Sequence, residues 1–244
     1  MKEKDFSRKL LTEFAQIVKE NNLMNEEIIV TARTLSTEEA IGNPERQDYP
    51  IIKGKEKLIQ ADFKGYKGQA FTDMPGSFKG TIEEIVNQVP ENNWDRGILI
   101  ATMNAVCRYL DLIEGTIHCH DEEPEECASA LQAHISQQYD QPKIALIGLQ
   151  PAILEKLAEK FRIRTVDLDE DNIGKTKHGI LIESFENTQE VLDWCDLIIA
   201  TGSTAINNTM GDYVGLNKPV IFFGTSCAGA THLMDLERWC YKGS

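Results

Sequence analysis

The stretch TIHCHDEEPEECA, residues 116–128, sets two histidines, two cysteines and five carboxylates in thirteen positions. Imidazole and thiolate are the donors that soft or borderline metal ions take, and carboxylates add hard oxygen ligands. If residues 116–120 are extended, His118 and His120 face one way and Cys119 the other, so all three cannot reach one ion without a turn. Seven residues separate Cys119 from Cys127, against the two to four of a structural zinc knuckle. The spacing therefore opposes a closed four-ligand cage. It leaves room for an open site built from one or two of these side chains with groups from the other half of the chain. The carboxylates have a second use, since DEEPEE with Pro124 near the first turn suits the start of a helix. Both uses stand on the sequence alone.

Four further segments carry polar chemistry at the ends of apolar runs. IGLQPA (147–152) offers Gly148 for a tight turn, Gln150 beside it, and Pro151 for a first helical turn. It has one of the three glycines of a dinucleotide fingerprint, which disfavours a pyrophosphate there. VDLDEDNIG (166–174) places Asp167 nineteen residues after Gly148, where an acidic residue can bond a ribose hydroxyl or simply end a strand. ATGSTAINNTM (200–210) runs from a strand through Gly202, Ser203 and Thr204, an anion site or an ordinary helix cap. FGTSCAGA (223–230) presents Gly224 and Thr225, with Cys227 read as a buried filler. Earlier in the chain, KGKE (53–56) and GQAFTD (68–73) are glycine-interrupted. Those glycines permit close backbone approach or serve as hairpin turns, and Asp73 is a candidate acid or base.

The elements that must position these groups differ between the two halves. From Lys143 onward, IALIG, TVDLD, ILIES, LIIATG and VIFFG (144–148, 165–169, 180–184, 197–202, 220–224) are nearly continuous in apolar residues, as strands buried on both faces are. PAILEKLAEKF (151–161), TQEVLDWC (188–195) and NNTMGDYVGL (207–216) are the predicted crossovers, and 228–240 a closing helix. This alternation predicts a doubly wound parallel α/β sheet over 140–244. Residues 1–139 read as an α+β unit. It has a helix near 4–21, a strand at 26–35, a loop-rich middle over 64–81, and helices at 81–89, 94–110 and about 124–139. YDQP (139–142) is the junction.

Composition bounds the function. The 244 residues carry 39 acidic and 25 basic side chains, a formal charge of −14, which opposes a phosphate-tracking surface and nucleic acid as partner. No apolar run suggests a signal peptide or a membrane span. Six scattered cysteines (107, 119, 127, 195, 227, 240) fit reduced thiols in a cytoplasmic protein rather than a disulfide framework. Oligomeric state is not legible.

In order along the chain, YPIIKGKEKL, GQAFTDMPGSFKGT, IATMNAVCRYL, TIHCHDEEPEECA, IALIGLQPAIL, DLDEDNIG, LIIATGSTAINNT and KPVIFFGTSCAG resemble the putative heavy-metal chelation family, from about Tyr49 to Cys240. The resemblance implies an enolase-N-terminal-like domain followed by a Rossmann-like domain in proteins mainly of anaerobic bacteria. It implies a site in the cleft between them, a transition or heavy metal as ligand, and His118 and Cys119 as the residues that matter. The expected function is binding or handling of a heavy metal or a metal-bearing or anionic small molecule. The alternative is an enzyme acting on an anionic metabolite or nucleotide-like cofactor, with Asp167 orienting it and His118 or Asp73 moving a proton.

Overall fold

The computed structural model describes residues 3–31, 37–46, 48–49, 51–52 and 56–244. In chain order the first elements are α1 (Glu3–Glu20), β1 (Glu27–Thr31), α2 (Thr37–Ile41), β2 (Lys57–Phe63), β3 (Tyr66–Thr72), β4 (Phe78–Thr81), α3 (Ile82–Val86), α4 (Asn93–Tyr109) and α5 (Glu123–Gln138). The second set is β5 (Lys143–Ile147), α6 (Pro151–Ala158), β6 (Arg162–Asp167), β7 (Thr176–Lys177), β8 (Ile180–Ser184), α7 (Thr188–Trp194), β9 (Leu197–Thr201), β10 (Val220–Phe223), α8 (Ala228–Leu233) and β11 (Arg238–Trp239).

Strands β1–β4 form an antiparallel sheet in the order β3-β2-β1-β4, and the rest form a seven-stranded sheet in the order β11-β10-β9-β5-β6-β8-β7. Every pairing in the larger sheet is parallel except that of β7 with β8. All five predicted strands are present. Their continuous apolar runs serve two faces. Ala145, Ile147, Ile198, Ala200 and Phe222 enter one core, with α1, α4 and α8. Ile144, Leu146, Leu197, Ile199, Ile221 and Phe223 enter the other, with α5 and α6. Strand alternation divides each run between the two cores.

Helix α4 joins the sheets. Every residue from Gly97 to Cys107 is buried, so this helix is apolar all round, as a helix packed on both sides must be. It lies on β2 and β3 with one face and on α8 with another. Gly68 permits the first contact: a Cβ there would stand 2.2 Å from the Ala105 nitrogen and 2.4 Å from the Ala101 carbonyl oxygen. The glycine of GQAFTD thus serves a backbone approach. Asn104, fully buried, makes the second contact: its amide donates to the carbonyls of Gln69 (2.9 Å) and Thr225 (3.2 Å), and its Oδ1 accepts the Gly229 N–H at 2.8 Å.

Several expectations are corrected. The predicted loop-rich middle, 64–81, holds strands β3 and β4, because β3 pairs with all seven residues of β2 across a two-residue turn. Segment 207–216 is no crossover helix; two short 3-10 turns, Gly202–Ala205 and Met210–Tyr213, replace it, interrupted by Asn208 at positive φ. The closing helix stops at Leu233, and Arg238–Trp239 add a parallel edge strand beside β10. The predicted strand 26–35 is β1 to Thr31; its remainder, like Lys53–Lys55 of KGKE, lies outside the described residues.

Candidate functional site

The strand order reverses between β5 and β9, whose next strands, β6 and β10, lie on opposite sides of the pair. In open parallel sheets ligands bind beyond the carboxyl ends of the strands at such a point. A cavity of about 410 Å³ opens there, walled on one side by loops of the parallel sheet and on the other by Phe71, Asp73, His118 and Cys119 of the first half. Its volume falls in the range of small-molecule sites.

The TIHC segment is pinned from both sheets. The Gln69 N–H donates to the Thr116 carbonyl at 3.0 Å, and the His118 N–H donates to Gln69 Oε1 at 2.7 Å. Arg238 donates to the carbonyls of Gly224 (2.9 Å), Glu114 (2.9 Å) and Gly115, tying the approach to His118 onto the second sheet. The segment is irregular rather than extended, so strict alternation does not apply. His118 and Cys119 both reach the cavity and His120 does not, which corrects the facing expected of a strand.

His118 Nδ1 lies 2.6 Å from the Cys119 carbonyl oxygen, which can only accept, so Nδ1 carries the proton and Nε2 keeps its lone pair. Burial pushes this imidazole down to about 4, so it is neutral at physiological pH. A neutral ring with one N–H held by a backbone carbonyl is the arrangement of a metal-ligating histidine. Cys119, Cys127 and Cys240 line the same cavity. Burial raises the thiols of Cys119 and Cys127, which favours their protonated forms. Cys227 is wholly buried, absent from the cavity wall and pushed up to about 12 by burial, which suits a packing role.

The carboxylates of DEEPEE have hydrogen-bond or ion-pair partners within the chain. Asp121 accepts the Asn43 N–H (2.9 Å), Glu122 the Glu45 N–H (2.9 Å) and Glu123 the His120 N–H (2.8 Å). Glu125 takes Arg46 Nε and the Tyr49 hydroxyl, each at 2.9 Å, and Arg46 also pairs with Glu155. These residues lead into and begin α5, with Pro124 in its first turn, and they hold Asn43, Glu45, Arg46 and Tyr49 against it.

Asp121 also lines the cavity, together with four carboxylates from outside DEEPEE: Glu56, Asp73, Asp167 and Asp169. Burial, with the charges of Asp167, Asp73 and Asp169, pushes Glu56 up to about 7. Burial also raises Asp167, opposed by the N–H groups of Asp169 (2.6 Å) and Leu149 (2.7 Å) that it accepts. Asp73 sits at the rim and accepts Asn93 Nδ2 at 2.7 Å. Gly148 makes the tight turn at φ +81, where a Cβ would also meet Thr201 Cγ2 at 2.6 Å.

Gly148, Gln150, Asp167, Gly202, Ser203, Thr204, Gly224 and Thr225 all line the cavity; Pro151 does not, and opens α6 behind it. Gln150 caps that helix, its Oε1 accepting the Ile153 N–H at 2.5 Å. The Thr204 hydroxyl donates to the Thr201 carbonyl at 2.7 Å, and Thr201 Oγ1 accepts the Ser203 N–H at 3.4 Å. Thr225 Oγ1 is buried at the cavity wall with no hydrogen-bond partner among the described residues. Sequence reasoning did not single out Glu56 or Cys240 as wall residues, and it left Cys127 open. For Glu56, the last residue of the glycine-interrupted KGKE, that segment was a signal; Cys240 gave none beyond being a thiol.

Among the described residues, no three His, Cys, Asp or Glu side chains stand together as a group that could hold a metal ion. With burial favouring the protonated thiols of Cys119 and Cys127, the described residues do not by themselves form a cage for a bare ion. What it offers is one imidazole lone pair with thiols in the same cavity, which fits an ion that brings donors of its own.

The fold is mixed α/β, with one antiparallel sheet, one parallel-rich sheet and a cavity between them. Residues 131–232 match the DUF364 family, described as putative heavy-metal chelation, the same family that the motifs of this segment resemble. The TIHC motif lies before the matched residues. A DUF364-family protein of unknown function from Pyrococcus horikoshii is similar in fold, at 14% identity and a TM-score of 0.54, covering 89% of this chain and 79% of that one. Another of unknown function, from Desulfitobacterium hafniense DCB-2, gives 13% identity, coverages of 74% and 71%, and a TM-score of 0.49. No curated protein matches the chain.

Proposed function

We propose that the cavity binds a small molecule that carries a soft metal ion, with the metal directed to the His118–Cys119 wall. The observation that carries this reading is the convergence of His118, Cys119, Cys127 and Cys240 on one cavity of small-molecule size. His118 supplies a lone pair already oriented by the Cys119 carbonyl. A thiol that loses its proton on meeting the ion adds a soft ligand. The carboxylates opposite favour a ligand of neutral or positive charge over an anionic one. The hydroxyl of Thr204 and the N–H groups of Ser203 and Leu149, which an anion would use, are engaged within the chain.

The enzymatic alternative draws support from Glu56, a carboxyl poised at about 7 in the same cavity as the neutral His118. A group whose value lies near the working pH suits general acid–base work. In that reading Glu56 takes the proton-moving role first given to Asp73, which is held by Asn93 at the rim.

The architectural reading completes the proposal. The antiparallel unit up to Tyr139 is enolase-N-terminal-like and the unit from Asp140 is Rossmann-like, a reading supported by the parallel order β8-β6-β5-β9-β10-β11. Six free cysteines agree with a cytoplasmic setting that keeps thiols reduced. Among the described residues no helix is long and apolar enough to cross a membrane.

Purification without a metal-affinity column, under anaerobic conditions, followed by native mass spectrometry and elemental analysis tests the function. The expected result is an adduct heavier than a lone metal ion, containing a metal, that is lost in Cys119→Ala. Protein that carries neither metal nor organic adduct, and takes up none from the cell extract, would overturn it.

A further inference from the structure

At the opposite end of the cavity from the thiols, the edge of the parallel sheet has the features of a nucleoside site without those of a phosphate site. Asp167 ends β6, the strand next to β5 on one side of the reversal, where an acidic residue meets a ribose diol in sheets of this order. Each of its oxygens accepts one N–H, and a carboxylate oxygen has a second lone pair to offer. Asp167 and Ser184 are register partners on β6 and β8, so the residues that follow them, Leu168 and Phe185, leave the sheet side by side. Both line the cavity, and Leu168 is 55% exposed, an unusual state for a leucine at the mouth of a pocket. Together they form an apolar shelf on which a flat base can lie.

The places a phosphate would occupy are filled by the protein. The Leu149 N–H at the β5–α6 turn goes to Asp167, and the Ile153 N–H in the first turn of α6 goes to Gln150. Glu56, Asp73, Asp167 and Asp169 outweigh the charge of Lys177, which acts on Asp167, and make this end of the cavity net negative. Like charges a few ångströms apart repel strongly where water is excluded. Glu56 faces the cavity, and Thr225 Oγ1, buried at its wall, has no hydrogen-bond partner among the described residues. Each is an opening for a ligand group.

We infer that this end of the cavity binds a nucleoside lacking phosphates whose 5′ substituent is positively charged. Its base lies on Leu168 and Phe185, its ribose faces Asp167, and its cationic group faces Glu56. This deepens the proposed function by naming the class of ligand at the carboxylate end; it relies on the cavity as a ligand site and not on the metal.

Calorimetric titration with S-adenosylmethionine, adenosine, adenosine 5′-monophosphate and NAD+ tests it, with purified wild-type protein, Leu168→Ser and Glu56→Gln. The sulfonium nucleoside is expected to bind at least tenfold tighter than the monophosphate, with adenosine between them. Leu168→Ser, an exposed position whose change leaves the unfolding midpoint in place, should weaken adenosine and the sulfonium nucleoside alike by about tenfold. Glu56→Gln should weaken the sulfonium nucleoside alone. Tighter binding of the monophosphate or NAD+ than of adenosine would overturn the inference, as would no binding by any of the four or an unchanged affinity in Leu168→Ser. A metal adduct found in protein that binds none of these nucleosides would sink this inference and leave the metal-bearing ligand standing.

Discussion

Asp167 accepts the Leu149 N–H at 2.7 Å, so the carboxylate at the end of β6 closes the turn that follows β5. Its second oxygen accepts the Asp169 N–H at 2.6 Å. One side chain thus shapes two adjacent loops and fills a backbone position that an anion would otherwise take. Asp167→Ala is expected to lower stability by about 2 kcal/mol, since hydrogen bonds to a charged acceptor are lost while a buried charge is removed. It should also let inorganic phosphate raise the unfolding midpoint, which phosphate does not do for the wild type. Urea denaturation with and without phosphate checks both effects.

The two sheets share one buried amide. Asn104 Oδ1 accepts from Gly229 while its nitrogen donates to Gln69 of β3 and to Thr225, just after β10, so one side chain bridges the two sheets. Asn104→Leu keeps the volume and strands these groups in a dry interface, at a cost of about 1–3 kcal/mol for each one left unpaired. We predict a loss of at least about 3 kcal/mol in urea denaturation and a weaker affinity for any ligand of the cavity.

Gly68→Ala tests the contact of α4 on β3. The new methyl would stand 2.2 Å from backbone nitrogen rather than from a flexible side chain, so the helix itself must move. Overpacking of this kind costs about 1–3 kcal/mol or more. A Gly68→Ala protein with an unchanged midpoint would show that α4 does not rest on β3 through this glycine.

Glu56 and His118 make opposite contributions to the pH dependence of stability. Glu56 is raised from 4.5 to about 7, so its folded form holds a proton that the unfolded chain has released. Its ionisation removes up to about 3 kcal/mol as pH rises from 4.5 through 7. His118 is lowered from 6.5 to about 4, so stability falls by a similar amount as pH drops through that window. Relative to wild type, Glu56→Gln should gain stability at pH 8 and lose the gain by pH 4.5. His118→Gln should gain at pH 4 and lose the gain by pH 7. Urea titrations at four pH values would show whether the two differences run in these opposite senses.

Much of the architecture was legible because it depends on local rules. The five runs from Ile144 to Gly224 became the five parallel strands with shifts of a few residues at their ends, since burial on both faces demands uninterrupted apolar side chains. The helices α4 and α5 were likewise found nearly to the residue. The failures lie where tertiary contacts overrode pattern. GYKGQAF looks like a loop by its glycines, yet becomes β3 because β2 offers a full partner and α4 needs a flat surface. Residues 238–239 read as helix, yet add a strand because Arg238 is drawn onto the Gly224 carbonyl.

The site was legible in part for the same reason. Asp167, Ser203 and Thr225 follow from the rule that strand ends face the ligand crevice, and the structure brings them to one cavity. What that rule cannot supply is the opposite wall. Glu56, Cys127 and Cys240 come from separate parts of the chain, and only the docking of the two sheets sets them near His118 and Asp167. The use of the DEEPEE carboxylates was equally hidden, because their partners Asn43, Glu45 and Arg46 form no pattern with them in sequence.

The central claim is that a metal-bearing small molecule sits with its metal at the His118–Cys119 wall. Anomalous-difference crystallography of protein purified anaerobically tests it most directly. The account predicts one strong peak within bonding distance of His118 Nε2 or Cys119 Sγ, with further donors supplied by a non-protein molecule filling the cavity. A metal bound on the surface away from these residues, or an organic ligand in the cavity with no metal beside it, would contradict it.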